Sequence, residues 1–407
     1  TPGIDVSVIA DLDPDRARHT CRSIGWTDDL IRDTVFTDNA LGMLDTSDVD
    51  VVVEATGNPA SGITHARAAF ANEKHLVMVN VEADVLAGPL LATQAREAGV
   101  VYTMAYGDQP ALTCEMVEWA RACGFEVVAA GKGTKYQPSY HASTPDTVWE
   151  HYGLSAEQAV VAGMNSKMFN SFLDGTKSAI EMAAIANATG LTPPPNGLTF
   201  PPCEIDDLAQ VLRPREDGGV LHHKGQVEVV SSEERNGQPV SRDLRWGVYV
   251  VFEAPNDYTA ACFRQYGMNT DDSGRYCAMY KPFHLIGLEL NISILCAALL
   301  GKSTGTSRYF NADAVATAKC DLSEGVSLDG EGGYTVYGTL LPAAASLEKG
   351  CVPIGLAQDV TLNKPKKSGE TIQWDDISVG PDNEAARVRL DMEQTFPASV
   401  VRHPRVS

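Results

Sequence analysis

Strand-like and helix-like segments alternate through residues 1–130, and that alternation constrains the fold more than any other feature of the chain. Asp5 to Ala10 (DVSVIA) reads as a short apolar strand ending at Asp11, and Asp13-Pro14 opens a helix over Asp15 to Ile24. Val49 to Ala55 is a second strand, followed by Thr56-Gly57-Asn58-Pro59 and a helix from Ser61. His75 to Asn80 is a third, followed by a helix over Gly88 to Ala98. Val100 to Met104 is a fourth, followed by a helix over Pro110 to Cys123, and Glu126 to Ala130 closes the series. Such alternation implies an α/β fold with a doubly wound parallel sheet. Ligands of these sheets bind beyond the carboxyl ends of the strands. Asp11, Thr56 to Pro59 and Asn80 to Glu82 occupy those ends.

An acidic residue closing the second strand of a dinucleotide fold accepts hydrogen bonds from the adenosine ribose. Asp11 stands at that place, with a capping role in the turn as the plainer alternative. Arg16 and Arg18 lie close enough in sequence to meet a 2′-phosphate, so NAD and NADP both remain open. The cofactor-binding candidates are therefore Asp11, Thr56, Gly57, Asn58, Pro59, Asn80 and Glu82. The chain begins at Thr1, with no Gly-rich loop ahead of Asp5. The dinucleotide-binding part, residues 1–130, is accordingly expected to lack its first strand in this chain, either because that strand and its glycines lie upstream of Thr1 (an N-terminal truncation) or because the protein has lost them.

From Gly131 the alternation stops. Gly131 to Tyr140 (GKGTKYQPSY) reads as a loop carrying Lys132 and Lys135, with His141 just after it. Two lysines on flexible backbone suit a phosphate or carboxylate, and a solvent loop is the alternative. Asn165 to Gly190 reads as one mostly buried helix, ended by Gly190 and Pro193 to Pro195. Asn170, Asp174, Lys177, Ser178 and Glu181 fall on one stripe of it. Buried charges are costly unless paired or used. The stripe is either a ladder of ion pairs or a cleft in which Lys177 is a proton donor or anion ligand. Gly225 to Ser231 and Trp246 to Glu253 alternate as strands joined by the polar turn Glu233 to Gln238. Adjacent His222 and His223 point to opposite sides of a strand, so at most one serves a given site. Tyr280 to Leu290 leads into an apolar helix through Leu300, with Lys281 and His284 at its entrance. Asp329 to Ile377 is a Gly-containing module of short strands, and the tail after Pro381 is expected to be loosely ordered.

A length of 407 residues allows two or three domains. The net charge of −21 argues against nucleic acid or an anionic membrane as partner. No apolar run is long enough to span a bilayer. The nine cysteines are scattered without CxxC. Cys21, Cys123, Cys262 and Cys296 read as reduced core thiols of a cytoplasmic protein, not as a disulfide framework or zinc site.

The runs VVVEATGNPASGITHA, LVMVNVEAD, GDQPAL, AGKGTKY and FLDGTKSAIEM together resemble the homoserine-dehydrogenase-like oxidoreductases. Within that group they resemble most the branch called 1-deoxy-D-xylulose 5-phosphate reductoisomerase-like. LEKGCVPIGLAQDV and KKSGETIQWDDI resemble the SAF β-clip that closes such proteins. The resemblance implies three parts. They are a Rossmann-type doubly wound sheet over residues 1–130, an α+β central catalytic domain over 131–328, and an SAF-like β module with tail over 329–407. It also implies NADPH- or NADH-dependent reduction of 1-deoxy-D-xylulose 5-phosphate to 2-C-methyl-D-erythritol 4-phosphate, an isoprenoid precursor, by a homo-oligomer. Homoserine dehydrogenases use a central-domain lysine for proton transfer, and Lys177 is the candidate for it. Hydride arrival creates an alkoxide that an ammonium stabilises. Asp174 and Glu181 would hold that lysine, or share a Mg2+ or Mn2+ ion with the vicinal oxygens of the sugar. The phosphorylated substrate would be met by Lys132, Lys135, His141, Asn170, Lys281 and His284. The alternatives are an NAD(P)-dependent dehydrogenase of a small hydroxy or amino acid, and a non-catalytic sugar-phosphate-binding protein without its Gly-rich loop.

Overall fold

The computed structural model describes residues 1–46, 48–380 and 383–396. Its first part follows the alternation of the sequence. In chain order it consists of β1 (Val8–Ala10), α1 (Pro14–Ser23), α2 (Asp28–Asp33), β2 (Val35–Thr37), α3 (Ala40–Thr46) and β3 (Val51–Glu54). There follow α4 (Pro59–Ala71), β4 (His75–Met78), α5 (Val81–Glu97), β5 (Tyr102–Met104) and α6 (Gln109–Ala122). Every strand pairing here is parallel. β1 pairs with β2, and β3-β4-β5 form a second sheet. The expected single sheet is thus two. The turns after β1, β3, β4 and β5 end in Asp13, Asn58, Asn80 and Asp108, each accepting from the first turn of the helix it caps. The short pieces α2, β2 and α3 carry too little apolar periodicity to be legible in the sequence. α5 begins at Val81, not Gly88, and accommodates Pro89 internally.

The middle part begins with β6 (Glu126–Thr134), which does not close the parallel series. Four short helices, α7 (Val148–Tyr152), α8 (Ala156–Val161), α9 (Ser166–Leu173) and α10 (Thr176–Thr189), are followed by α11 (Leu208–Val211). Then come β7 (Gln226–Ser231), β8 (Val248–Glu253), α12 (Asp257–Gln265), β9 (Asn269–Thr270), β10 (Tyr276–Lys281) and α13 (Asn291–Leu300). The strands form one sheet in the order β7-β6-β8-β10-β9, with β6 parallel to β7 and antiparallel to β8. So β7 and β8 are not the hairpin their connecting turn implies. Gly131 to Thr134 is buried strand, not loop. Its glycines serve close packing: a Cβ on Gly131 would lie 1.9 Å from the Glu228 carbonyl oxygen.

The expected long helix is two helices, broken at Asp174 and at Gly175, whose φ is 94°. α10 packs against α5, α6, α9 and β7. Among its residues only Lys177 is not fully buried. The last part covers α10 from the other side.

That part contains β11 (Ala312–Ala318), β12 (Ser327–Asp329), β13 (Val336–Pro342), α14 (Ala343–Lys349), β14 (Gln358–Leu362), β15 (Ile377–Ser378) and α15 (Glu384–Thr395). β11 and β13 pair antiparallel and lie on α10, while β12, β14 and β15 form a separate sheet. A boundary at residue 329 therefore separates β11 from its own partner. The loosely ordered tail is corrected in part: α15 is a helix packed on α4 and α5. Its Arg389 is fully buried, 2.7 Å from Asp313 and stacked over Phe310. Pro381 and residues 397–407 lie outside the described residues. Cys21 is buried, but Cys262 and Cys296 are half-buried and Cys123 is exposed, so the latter three are not core thiols. Among the described residues no helix is long and apolar enough to cross a membrane.

Candidate active site

The carboxyl ends of β3 and β4 are clamped together by asparagines. Asn58 caps α4, accepting from Ser61 N at 2.9 Å. Asn80 is buried, caps α5, and donates to the Asn58 carbonyl at 2.9 Å and to Thr56 Oγ1 at 3.5 Å. Thr56 and Gly57 are exposed above this clamp. Glu54, the last residue of β3, accepts from Thr56 N on Oε1 and lies 3.3 Å from His65 Nδ1, while its buried Oε2 has no hydrogen-bond partner. Burial opposes its charge, yet bonds from His65, Thr56 and Asn80 keep its pKa below the ordinary value. At the end of β1, Asp11 accepts from Asp13 N at 2.8 Å and pairs with Arg16 at 3.1 Å. The Asp13 backbone bond is the main cause of its lowered pKa, with burial opposing and Arg16 assisting. Asp13 does the capping, so Asp11 is not needed for it. Arg18 pairs with Asp15 at 2.7 Å.

Beneath the clamp, the charges of the α9–α10 stripe are met from three directions. Lys177 pairs with Glu82 of α5 at 2.5 Å. Glu181 pairs with Lys132 of β6. Asp174 pairs at 2.7 Å with Lys319, the residue after β11, and both are buried. The stripe is therefore not a ladder in which Lys177 meets Asp174 and Glu181. Burial works to lower the Lys177 pKa, but Glu82, Glu331, Glu181 and Asp108 outweigh it and raise the pKa above the ordinary lysine value. An ammonium so held keeps its proton at neutral pH. Its place suits it to stabilise negative charge.

Two carboxyl groups beside it are poised differently. Asp108, at the carboxyl end of β5, is pushed up to about 7 by burial and by Glu181, with Lys177 and the Gln109 amide opposing. Glu331, in the loop between β12 and β13, is pushed up to about 8 by burial and by Glu82, with Lys177 and Ser171 opposing. A raised carboxyl pKa means that the folded chain binds the proton more tightly than the unfolded one. The contribution of Asp108 to stability is thus complete below its ordinary 3.8 and is lost as pH rises to about 7. Asp108→Asn should remove this slope. Relative to wild type the variant should gain up to roughly 4 kcal/mol between those two limits. Denaturant unfolding over this pH range tests it, and parallel stability curves would contradict the assignment.

The remaining sequence candidates are scattered. Lys135 donates to the His151 carbonyl at 2.6 Å and pairs with Glu233 at 3.1 Å. His141 lies 3.0 Å from the Tyr136 hydroxyl and 2.7 Å from the Asp174 carbonyl, and burial lowers its pKa. Asn170 is buried and donates to the Ser143 and Gly332 carbonyls, a structural role. Lys281 pairs with Glu289 at 2.5 Å, and His284 Nδ1 meets the Trp246 carbonyl at 2.8 Å. The divalent cation does not fit Asp174 and Glu181, because each carboxylate is held by its own lysine. No group of three or more metal-ligating side chains exists among the described residues. The structure brings together Glu82, Lys132, Lys177 and Glu181. It adds Asp108, Glu331 and Lys319, which sequence reasoning missed. The capping position of Asp108 after β5 was a usable signal, whereas Glu331 and Lys319 carried none.

No curated protein matches the chain. Among solved structures it is similar to an inositol dehydrogenase homolog of Azotobacter vinelandii, solved with NADH and myo-inositol. Identity is 19% over 34% of this chain and 36% of that one, at a TM-score of 0.24. It is similar to the WlbA dehydrogenase of Bordetella pertussis, solved with NADH and UDP-GlcNAcA, at 16% identity over 33% and 40% of the two chains and a TM-score of 0.24. KijD10, a 3-ketoreductase of Actinomadura kijaniata, gives 15% over 34% and 42%, at a TM-score of 0.23. The chain thus spans less than half the length of each of these proteins. Residues 107–290, from the turn ahead of α6 through α10 and the five-stranded sheet, match the family model described as the catalytic domain of oxidoreductase DRL.

Proposed function

We propose that the chain is an NAD(P)H-dependent oxidoreductase that reduces a small phosphorylated keto sugar, in its finest form a 1-deoxy-D-xylulose 5-phosphate reductoisomerase-like enzyme. The observation that carries this reading is Lys177. It is the only residue of α10 not fully buried, and it is held charged among Glu82, Asp108, Glu181 and Glu331. A cation so placed is set to draw out the developing charge on a carbonyl oxygen. The match of residues 107–290 supports the same chemistry. A nicotinamide cofactor suits the clamp above it: Thr56 and Gly57 are exposed, and Glu54 keeps an unused acceptor at the strand end. Asp11 would take the adenosine ribose. A bound cofactor of this kind would supply the hydride.

Lys177 would hold the carbonyl oxygen, with Lys132 behind it balancing Glu181. The helices around α10 exclude water and strengthen these fields. To meet a phosphate, Lys135 and Lys281 would have to exchange Glu233 and Glu289 for it. A dehydrogenase of a small hydroxy or amino acid is the second reading. It is favoured by the poor fit of a divalent cation, since plain hydride transfer needs none.

The test follows oxidation of NADPH and NADH by the full-length protein. The substrates are 1-deoxy-D-xylulose 5-phosphate and a panel of small keto acids, with and without magnesium or manganese. Oxidation with the sugar phosphate is the expected result. Oxidation with keto acids alone selects the second reading, and no oxidation with any pair rejects both.

A further inference from the structure

Sequence reading placed Glu82 among the cofactor contacts, because it follows the end of β4. Its carboxylate has another partner: the Lys177 ammonium donates to Oε1 at 2.5 Å. Both groups are largely shielded, with 18% of the lysine side chain and 11% of the glutamate side chain exposed. The turn that carries Glu82 is held from two sides. It is the first turn of α5, where unpaired N–H groups and the helix dipole favour a carboxylate. Its cap is Asn80, which accepts from Ala83 N at 3.2 Å and donates to the Asn58 carbonyl at 2.9 Å, so the turn is tied to the segment after β3. From the other side comes the C-terminal part. Pro353, Ile354 and Gly355 line a small cavity with Glu82, Leu86 and Ile180. A Cβ on Gly355 would lie 3.4 Å from Pro59 Cγ and 3.9 Å from the Glu82 carbonyl oxygen.

Lys177 is the second residue of α10, and the backbone just before it is fixed. Thr176 N donates to Asp174 Oδ1 at 2.9 Å, and Thr176 Oγ1 accepts from Gly338 N at 2.8 Å. That fixes the root of the lysine and leaves its four-carbon stem a choice of rotamers. The hydrogen bond to Glu82 settles where the ammonium stands.

We propose that Glu82 is a positioning residue, which aims the Lys177 ammonium at the substrate carbonyl oxygen rather than touching the cofactor. The proposal rests on the oxidoreductase reading above. A lysine has three N–H donors, so one stays on Glu82 while another meets the oxygen. Aim matters at such a site, since a misplacement of about 1 Å costs roughly 10²-fold in rate. Glu82 also favours the charged lysine. Burial opposes that charge, and Glu82 leads the groups that outweigh it. The charged groups about Lys177 are Glu82 from α5, Asp108 after β5, Glu181 from its own helix, Glu331 from the β12–β13 loop, and Lys132 of β6 behind Glu181. Removing the Glu82 charge should therefore lower the pH at which Lys177 gives up its proton.

The test compares wild type, Glu82→Gln and Glu82→Asp. Turnover is followed with NADPH and 1-deoxy-D-xylulose 5-phosphate, or with the keto acid if that is what the wild type accepts. NADPH affinity is read by fluorescence. The ionisation of Lys177 is read without turnover, from its acetylation rate against pH by mass spectrometry. Glu82→Gln keeps the length of the side chain and an oxygen acceptor, and it should stay folded because Asn80 holds the turn. It should lose turnover by about 10-fold or more at unchanged NADPH affinity. Its Lys177 should acetylate at lower pH, and the alkaline limit of turnover should move down by the same amount. Glu82→Asp keeps the charge but is one methylene short. It should return the Lys177 titration towards wild type and recover only part of the turnover. Wild-type turnover in Glu82→Gln, weakened NADPH affinity, or an unchanged Lys177 titration would each overturn the proposal. So would lost turnover with the alkaline limit unmoved, which marks a merely structural pair. Wild-type protein that oxidises no NADPH would reject the oxidoreductase reading and the positioning role with it, and the wild-type trace alone records that outcome.

Discussion

Lys177→Met should lower turnover by about 10²-fold or more, the usual scale for losing a positioned charge stabiliser. Methionine fills a similar volume, so α10 should still form and pack. What disappears is the one positive charge facing Glu82, Asp108, Glu181 and Glu331 at once. Without it Glu82 is left half-buried with no cation, and the neighbouring carboxyl groups should hold their protons to higher pH. Stability should therefore fall somewhat at neutral pH and recover as pH drops and these groups become neutral. The direction agrees with the raised lysine pKa: its stabilising contribution is present throughout the range below the ordinary lysine value and is lost only above it. Melting temperature and turnover measured on the same variant at neutral and acid pH check both parts. A variant that is less stable yet turns over normally would show that Lys177 serves only as an ion-pair partner.

Lys319→Met should have the largest effect on stability, about 3–5 kcal/mol in denaturant unfolding. The ammonium is buried and donates to three acceptors: Asp174 Oδ2 at 2.7 Å, Ser143 O at 2.8 Å and Gly333 O at 2.7 Å. Removing it leaves the Asp174 carboxylate uncompensated at the break between α9 and α10, and frees the loop that carries Glu331. Adding Asp174→Asn to the same protein should recover part of the loss, because the stranded charge is then gone. A single variant as stable as wild type would mean that the pair holds nothing together.

The parallel strands β1, β3, β4 and β5 were legible because short apolar runs are each closed by a capping Asp or Asn, which fixes both the period and the end. The burial of α10 and its stop at Gly190 were legible for a similar reason. The extension of β6 was not, because Gly131 and Gly133 look like loop residues until the close approach of neighbouring backbone is known. Nor was β11 (ADAVATA), whose small side chains give almost no contrast between faces. At the site, helical spacing put Lys177, Asp174 and Glu181 on one stripe, whereas the structure pairs each of them with a group from another segment. The groups that face Lys177 or relieve its neighbours are Glu82, Asp108, Lys132, Lys319 and Glu331, which come from five other segments. Spacing along one helix carries no information about such contacts.

The cover over α10 also sets a schedule. Its residues 176–189 leave the ribosome well before β11 and β13, which span 312–342 and form one wall of its packing. At common rates of synthesis the helix waits on the order of ten seconds for that wall. For that interval a helix buried at all but one position in the finished fold stands partly bare, and contacts that will shield it lie 125 and 162 residues away along the chain. Folding should accordingly be slow and dependent on late-made sequence, and premature termination ahead of β13 should leave a product that aggregates.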